Sequence, residues 1–126
     1  MTLWQRKSKR KLTGGRLKKN AKKKKRERGR DFVPTKIEKR KIRKIRATGG
    51  NVKISLLSEN FANITVGKET KRAKILSVIE NYANPHLTRQ NVITKGCIIE
   101  TELGKAVVTS RPGQHGIINA VLLGEK

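Results

Sequence analysis

The chain has 126 residues and a formal net charge of +23, from 32 Lys and Arg against 9 Asp and Glu, and 34% of it is hydrophobic. Such charge marks a binder of polyanions, either nucleic acid or an anionic membrane surface, and the apolar content leaves room for one small core. MTLWQRKSKRKL at the start carries charge where a secretory signal needs an apolar run, and the longest apolar run, 120–123, is far short of a bilayer span. The single Cys97, with His86 and His115, offers neither an internal disulfide nor zinc-finger spacing, so an intracellular, reducing setting without metal or cofactor is expected.

Residues 4–30, WQRKSKRKLTGGRLKKNAKKKKRERGR, hold 15 Lys and Arg and one acid, Glu27. They cannot bury enough apolar surface to offset their ordering entropy, so residues 1–35 are expected to form a basic, intrinsically unfolded extension that a partner must order. The partner is unlike a membrane: between residues 5 and 31 only Leu12, Leu17 and Ala21 are apolar, too few for an amphipathic anchor. Nucleic acid remains. Arg presents a planar fork matched to phosphate and Lys a mobile charge, while Thr13-Gly14-Gly15 and Gly29 allow bends that expose backbone amides. Trp4 has two readings, a stack on an unpaired base or an anchor on a protein surface. A passive solvated arm, or a nuclear import signal at KKKKRERGR, is the bland alternative for the charge run.

From residue 36 the pattern becomes short apolar stretches broken by turns. Residues 42–57 read as two strands around Gly49-Gly50-Asn51, with Lys44, Arg46 and Lys53 expected on a basic outer face of a half-buried hairpin. Further strands are predicted at 61–66, 73–82, 96–101, 105–110 and 119–123, with turns at Gly67, Asn84-Pro85, Leu103-Gly104 and Pro112-Gly113. Ile75, Val78 and Ile79 also fit a helical period, but the neighbouring strands favour β. The expected fold is all-β: a small antiparallel β-barrel-like domain over residues 36–126.

Catalysis finds little support. Cys97 opens the apolar strand CIIE, where a buried inert thiol is the usual occupant, although His115 is its obvious partner. Glu100 and Glu102 flank a turn at solvated positions, and no glycine-rich phosphate loop is present. No small-molecule substrate is indicated. The aromatic residues, Trp4, Phe32, Phe61 and Tyr82, are too few for a stacking platform, so backbone and shape contacts to RNA should dominate.

Four stretches, in order, resemble one family: RKLTGGR at 10–16 preceded by Trp4, RERGRD at 26–31, IRKIRATGGN at 42–51 and SRPGQHG at 110–116. The family is the archaeal and eukaryotic small-subunit ribosomal protein eight, e-type. The resemblance spans nearly the whole chain and implies a structural ribosomal protein, cytoplasmic and in the ribosome, with a β-barrel-like body and a basic extension threaded along small-subunit ribosomal RNA. Its partners would be that RNA and neighbouring small-subunit proteins. Eukaryotic members carry a long insertion where residues 101–105 here make a tight turn, so the archaeal version is implied. The residues expected to bind RNA are Trp4, Arg6, Lys7, Lys9, Arg10, Lys11, Thr13, Gly14, Gly15, Arg16, Lys18, Lys19, Lys22, Lys23, Lys24, Lys25, Arg26, Arg28 and Arg30 in the extension. In the domain they are Lys44, Arg46, Lys53, Arg111, Gln114 and His115, the last three projecting from a Pro112-Gly113 turn. The runner-up function is a free-standing nucleic-acid-compacting protein of the chromatin type.

Overall fold

A computed structural model describes residues 3–18 and 21–124. Chain contacts divide it into two units, Met1–Phe32 and Val33–Lys126. The second unit holds seven strands: β1 (Lys41–Arg46), β2 (Val52–Ser58), β3 (Phe61–Val66), β4 (Glu69–Glu80), β5 (Ile98–Thr101), β6 (Gly104–Val108) and β7 (Asn119–Leu122). Two one-turn helices, α1 (Pro85–Arg89) and α2 (Pro112–His115), stand where the sequence suggested plain turns. Pro opens each helix, and its fixed φ and missing N–H suit the first helical position.

Strands β3 to β7 form a closed barrel, each antiparallel to the next, and β7 returns parallel to β3. The expected antiparallel barrel therefore closes through one parallel pair. Five strands of alternating direction begin and end pointing the same way, so no other closure is open to them. Along that seam the Asn63 side-chain amide donates to the Asn119 side-chain oxygen at 3.1 Å.

A five-strand barrel is narrow, and its filling reflects this. Ala62, Ala73, Ala106 and Ala120 are buried beside Ile64, Ile75, Ile99 and Val108. Small residues facing branched ones let the layers interdigitate without strain. Cys97 lies fully buried in this core, and burial pushes its thiol up, the wrong direction for a nucleophile.

The helical spacing of Ile75 and Val78 has a β explanation. The register of β4 against β5 steps from Ile75↔Thr101 to Ser77↔Glu100 and then Val78↔Ile99, so one extra residue bulges out. Two inward residues thereby come to stand three apart instead of two, and the 12-residue strand bends around the barrel. β5 and β6 meet in the tight turn that the sequence suggested, with Thr101 paired to Gly104 and the Thr101 hydroxyl donating to the Gly104 carbonyl at 2.7 Å.

β1 and β2 form a separate two-stranded sheet outside the barrel. Its base is tied in by residues 35–39. The Thr35 hydroxyl donates to Leu56 O at 2.9 Å, Thr35 O accepts from Ile93 N at 2.9 Å, and the Ser58 hydroxyl donates to Lys39 O at 2.7 Å. Thr35 is buried and belongs with the second unit.

The first unit has no hydrophobic side chain buried among its described residues. Its order comes from backbone turns, a 3₁₀ turn at Lys25–Glu27 and two isolated bridges, Trp4↔Arg28 and Arg10↔Arg16.

Candidate nucleic-acid interface

In the first unit RKLTGGR forms a hairpin. Lys11 O accepts from Gly14 N at 3.0 Å, Lys11 N donates to Gly15 O at 2.8 Å, and Leu17 N donates to Lys9 O at 2.9 Å. Gly14 sits at φ +82°, the left-handed residue that closes a three-residue hairpin loop. The Arg10 guanidinium donates to Gly14 O at 3.0 Å, while Lys9, Lys11, Thr13, Gly15, Arg16 and Lys18 are exposed around the turn. Lys19, also expected to bind, lies outside the described residues.

The two ends of the basic segment pair with each other. Gln5 N donates to Glu27 O and Gly29 N to Leu3 O, both at 2.7 Å, and Arg6 Nε meets Glu27 Oε2 at 2.9 Å. Gly29 is the point of closest approach, since a Cβ there would stand 2.9 Å from Leu3 O. Its role is thus backbone contact more than bending. Lys7, Lys22, Lys23, Lys24, Lys25, Arg26 and Arg30 remain exposed, and Arg28 is exposed with a 3.3 Å contact to Asp31.

In the second unit the β1–β2 loop, Thr48–Gly50, repeats the T-G-G of the first hairpin. Ala47 N donates to Asn51 O at 2.7 Å, and Gly49 and Gly50 take φ of +71° and +78°. The register corrects the expected basic face. Lys44 lies opposite Ile54 and Arg46 opposite Val52, whereas Lys53 lies opposite Ile45 and Ser55 opposite Arg43. Cross-strand partners share a face, so Lys44 and Arg46 stand with Val52 and Ile54, and Lys53 stands on the other side with Arg43. The outer part of the hairpin is not half-buried as expected: Ile42, Val52 and Ile54 are 42%, 58% and 36% exposed. Both faces carry cations into solvent.

α2 packs against β2 and carries SRPGQHG with it. The Ser110 hydroxyl donates to Ile117 O at 3.0 Å and accepts from Asn119 N at 2.9 Å, which fastens the two ends of the loop. His115 Nδ1 accepts from Arg111 N at 3.2 Å, so in the neutral ring the proton resides on Nε2. Arg111, Gln114 and His115 are all exposed. The loop and the hairpin are brought side by side, a juxtaposition that no local pattern announces.

Residues 4–123 match the family model of ribosomal protein S8e. The small ribosomal subunit protein eS8 of Methanococcus vannielii is 54% identical over 130 aligned residues, covering 99% of this chain and 100% of that protein. Proteins of the same name from Methanococcus aeolicus and Methanocorpusculum labreanum are 50% and 52% identical, over 99% and 96% of this chain and 100% and 98% of their own. The chain belongs to the ribosomal protein S8e family. It is of the archaeal type, spanning these relatives almost end to end and joining β5 to β6 by a tight turn.

This S8e chain carries cations that the sequence reading passed over. Arg43 and Lys41 lie on β1 within or beside the IRKIRATGGN stretch, and the outward parity of β4 exposes Arg72 and Lys74 on either side of buried Ala73. The Arg72 guanidinium stacks over Phe61, 4.3 Å from the ring centroid. None of the four aromatic side chains is in the core of this S8e chain, with Trp4 37%, Phe32 62%, Phe61 36% and Tyr82 73% exposed. Alternation along β4 could have marked Arg72 and Lys74. The exposure of the aromatics had no such signal.

Proposed function

We propose that the chain is a structural constituent of the small ribosomal subunit that binds and stabilises small-subunit ribosomal RNA. The basic segment is the principal contact, unfolded in the free protein and ordered on RNA, and the β1–β2 hairpin with the SRPGQHG loop is a second, weaker one. The protein would work in the cytoplasm, within the ribosome, against RNA and neighbouring small-subunit proteins.

The observation that carries this reading is the first unit itself. Its cations lie along hydrogen-bonded turns with no buried apolar side chain beneath them among the described residues, so the energy that orders it must come from outside, and phosphate supplies charge of the right sign. The name shared by the end-to-end relatives supports the small subunit as the particle. The two glycine-tipped hairpins suit a role without catalysis, because they present charge and backbone amides on short protrusions that fit RNA grooves.

Sedimentation of a cell extract through a high-salt sucrose gradient tests the proposal. Comigration of the protein with the small subunit is the expected result. Recovery away from ribosomes, on genomic DNA, would overturn it in favour of a compacting protein.

A further inference from the structure

The pairing of residues 3–6 with 27–29 does more than close the first unit. It opens a cleft of about 720 Å³ with Trp4 as one wall and Arg6, Lys7, Lys9, Lys22 and Lys23 around it, and no acidic side chain lines it among the described residues. That volume lies within the roughly 300–1,000 Å³ typical of small-ligand sites. Arg6 is committed to Glu27 at 2.9 Å, so four lysines supply the open positive charge.

Backbone phosphate alone would need no such cleft, since an exposed lysine run binds it anywhere along its length. An aromatic wall among cations matches a different ligand: a planar ring carrying an anion. Trp4 is 37% exposed, and the Lys23 ammonium lies 5.0 Å from the centroid of its indole, on the face where a second ring would stack. A lysine on a flexible stem moves aside readily and can follow the incoming phosphate. Once nucleic acid has ordered the segment, the bridge to Arg28 holds the backbone of Trp4, so the indole is presented from a fixed point.

We propose that this cleft receives one unstacked nucleotide of the RNA, its base laid on the Trp4 indole and its phosphate among Lys7, Lys9 and Lys22. This rests on the RNA-binding reading above and adds to it a base-stacking site within a segment that otherwise reads only charge. Recognition of the base is through its π face, so the site tolerates any base and requires one that is free of its neighbours.

Trp4 is the only tryptophan in the chain, so its emission reports on this cleft alone. The full-length protein is titrated at low salt with single-stranded oligoadenylate and, separately, with inorganic polyphosphate of matched charge. Oligoadenylate is expected to quench Trp4, and polyphosphate to bind while leaving the emission nearly unchanged. Trp4→Ala should weaken oligoadenylate binding by about 5- to 150-fold, the range for removing a base-stacking aromatic, and Trp4→Phe should retain most of the affinity. Polyphosphate binding should be the same for all three proteins, which shows that the lysines are still presented. Equal quenching by both ligands, or oligoadenylate binding that is indifferent to Trp4→Ala, overturns the cleft assignment and leaves the RNA role standing. Failure to bind small-subunit RNA at all overturns both.

Discussion

Gly116→Ala is the substitution that most sharply tests the placement of the SRPGQHG loop on the hairpin. Gly116 follows α2 in the left-handed region, at φ +72°, and a Cβ there would stand 2.4 Å from Ile54 Cγ2 and 2.8 Å from Ile54 Cβ. Two costs add. The left-handed conformation costs an alanine about 1–2 kcal/mol, and overfilling a packed contact costs about 1–3 kcal/mol, so a loss of about 2–5 kcal/mol is expected. Two further variants separate the terms. Gly116→Asn relieves most of the backbone cost, because asparagine tolerates left-handed φ, yet its Cβ meets Ile54 all the same; it should stay destabilised by the packing share. Ile54→Ala combined with Gly116→Ala removes Cγ2, and should show a favourable coupling of about 1 kcal/mol or more relative to the sum of the singles. Urea denaturation of the second unit, followed by circular dichroism, reads all of these. A Gly116→Ala protein within about 0.5 kcal/mol of wild type, the range of an unremarkable surface change, would refute the contact between loop and hairpin.

Ser55 Oγ is the one buried side-chain polar atom without a hydrogen-bond partner among the described residues, so Ser55→Ala should leave stability unchanged or raise it by up to about 1 kcal/mol in the same denaturation assay. Deleting residues 1–32 should leave a folded second unit with dispersed amide NMR signals and greatly weakened RNA binding. Deletion of residues 1–35 should further destabilise that unit by roughly 1–3 kcal/mol for each group stranded, because Thr35 satisfies both Ile93 N and Leu56 O from a buried position. In the intact free protein, residues 3–32 should exchange their amides rapidly and become protected only when small-subunit RNA is added.

The hairpins and barrel strands were largely legible because alternation over four to eight residues and glycine at left-handed positions are local signals. What went unread depended on distance along the chain. Alternation assigned Lys44, Arg46 and Lys53 their parity within each strand, but the three-residue loop, not either strand, sets which faces join; Arg46↔Val52 then puts Lys53 opposite to the other two. The β4 bulge disguised a strand as a possible helix by moving one inward residue from an even to an odd spacing. α2 spans four residues, too few for any periodicity. The T-G-G of residues 13–15 and that of 48–50 are used differently: Gly15 pairs with Lys11 outside the first loop and Gly14 alone is left-handed there, whereas Gly49 and Gly50 both lie left-handed inside the second, so the repeated tripeptide does not by itself fix the turn. The Trp4 cleft had no local trace, since it arises when residues more than twenty positions apart pair.

The central claim is that neutralisation of RNA phosphate orders and holds this protein, and its most direct test is the salt dependence of binding to small-subunit ribosomal RNA. Filter binding from low to high salt should give a log-log slope of about −6 to −7 if roughly 8 phosphates are neutralised, at 0.7 to 0.9 counterions released per contact. A slope shallower than about −2 would contradict it, because the basic segment would then not be the main contact.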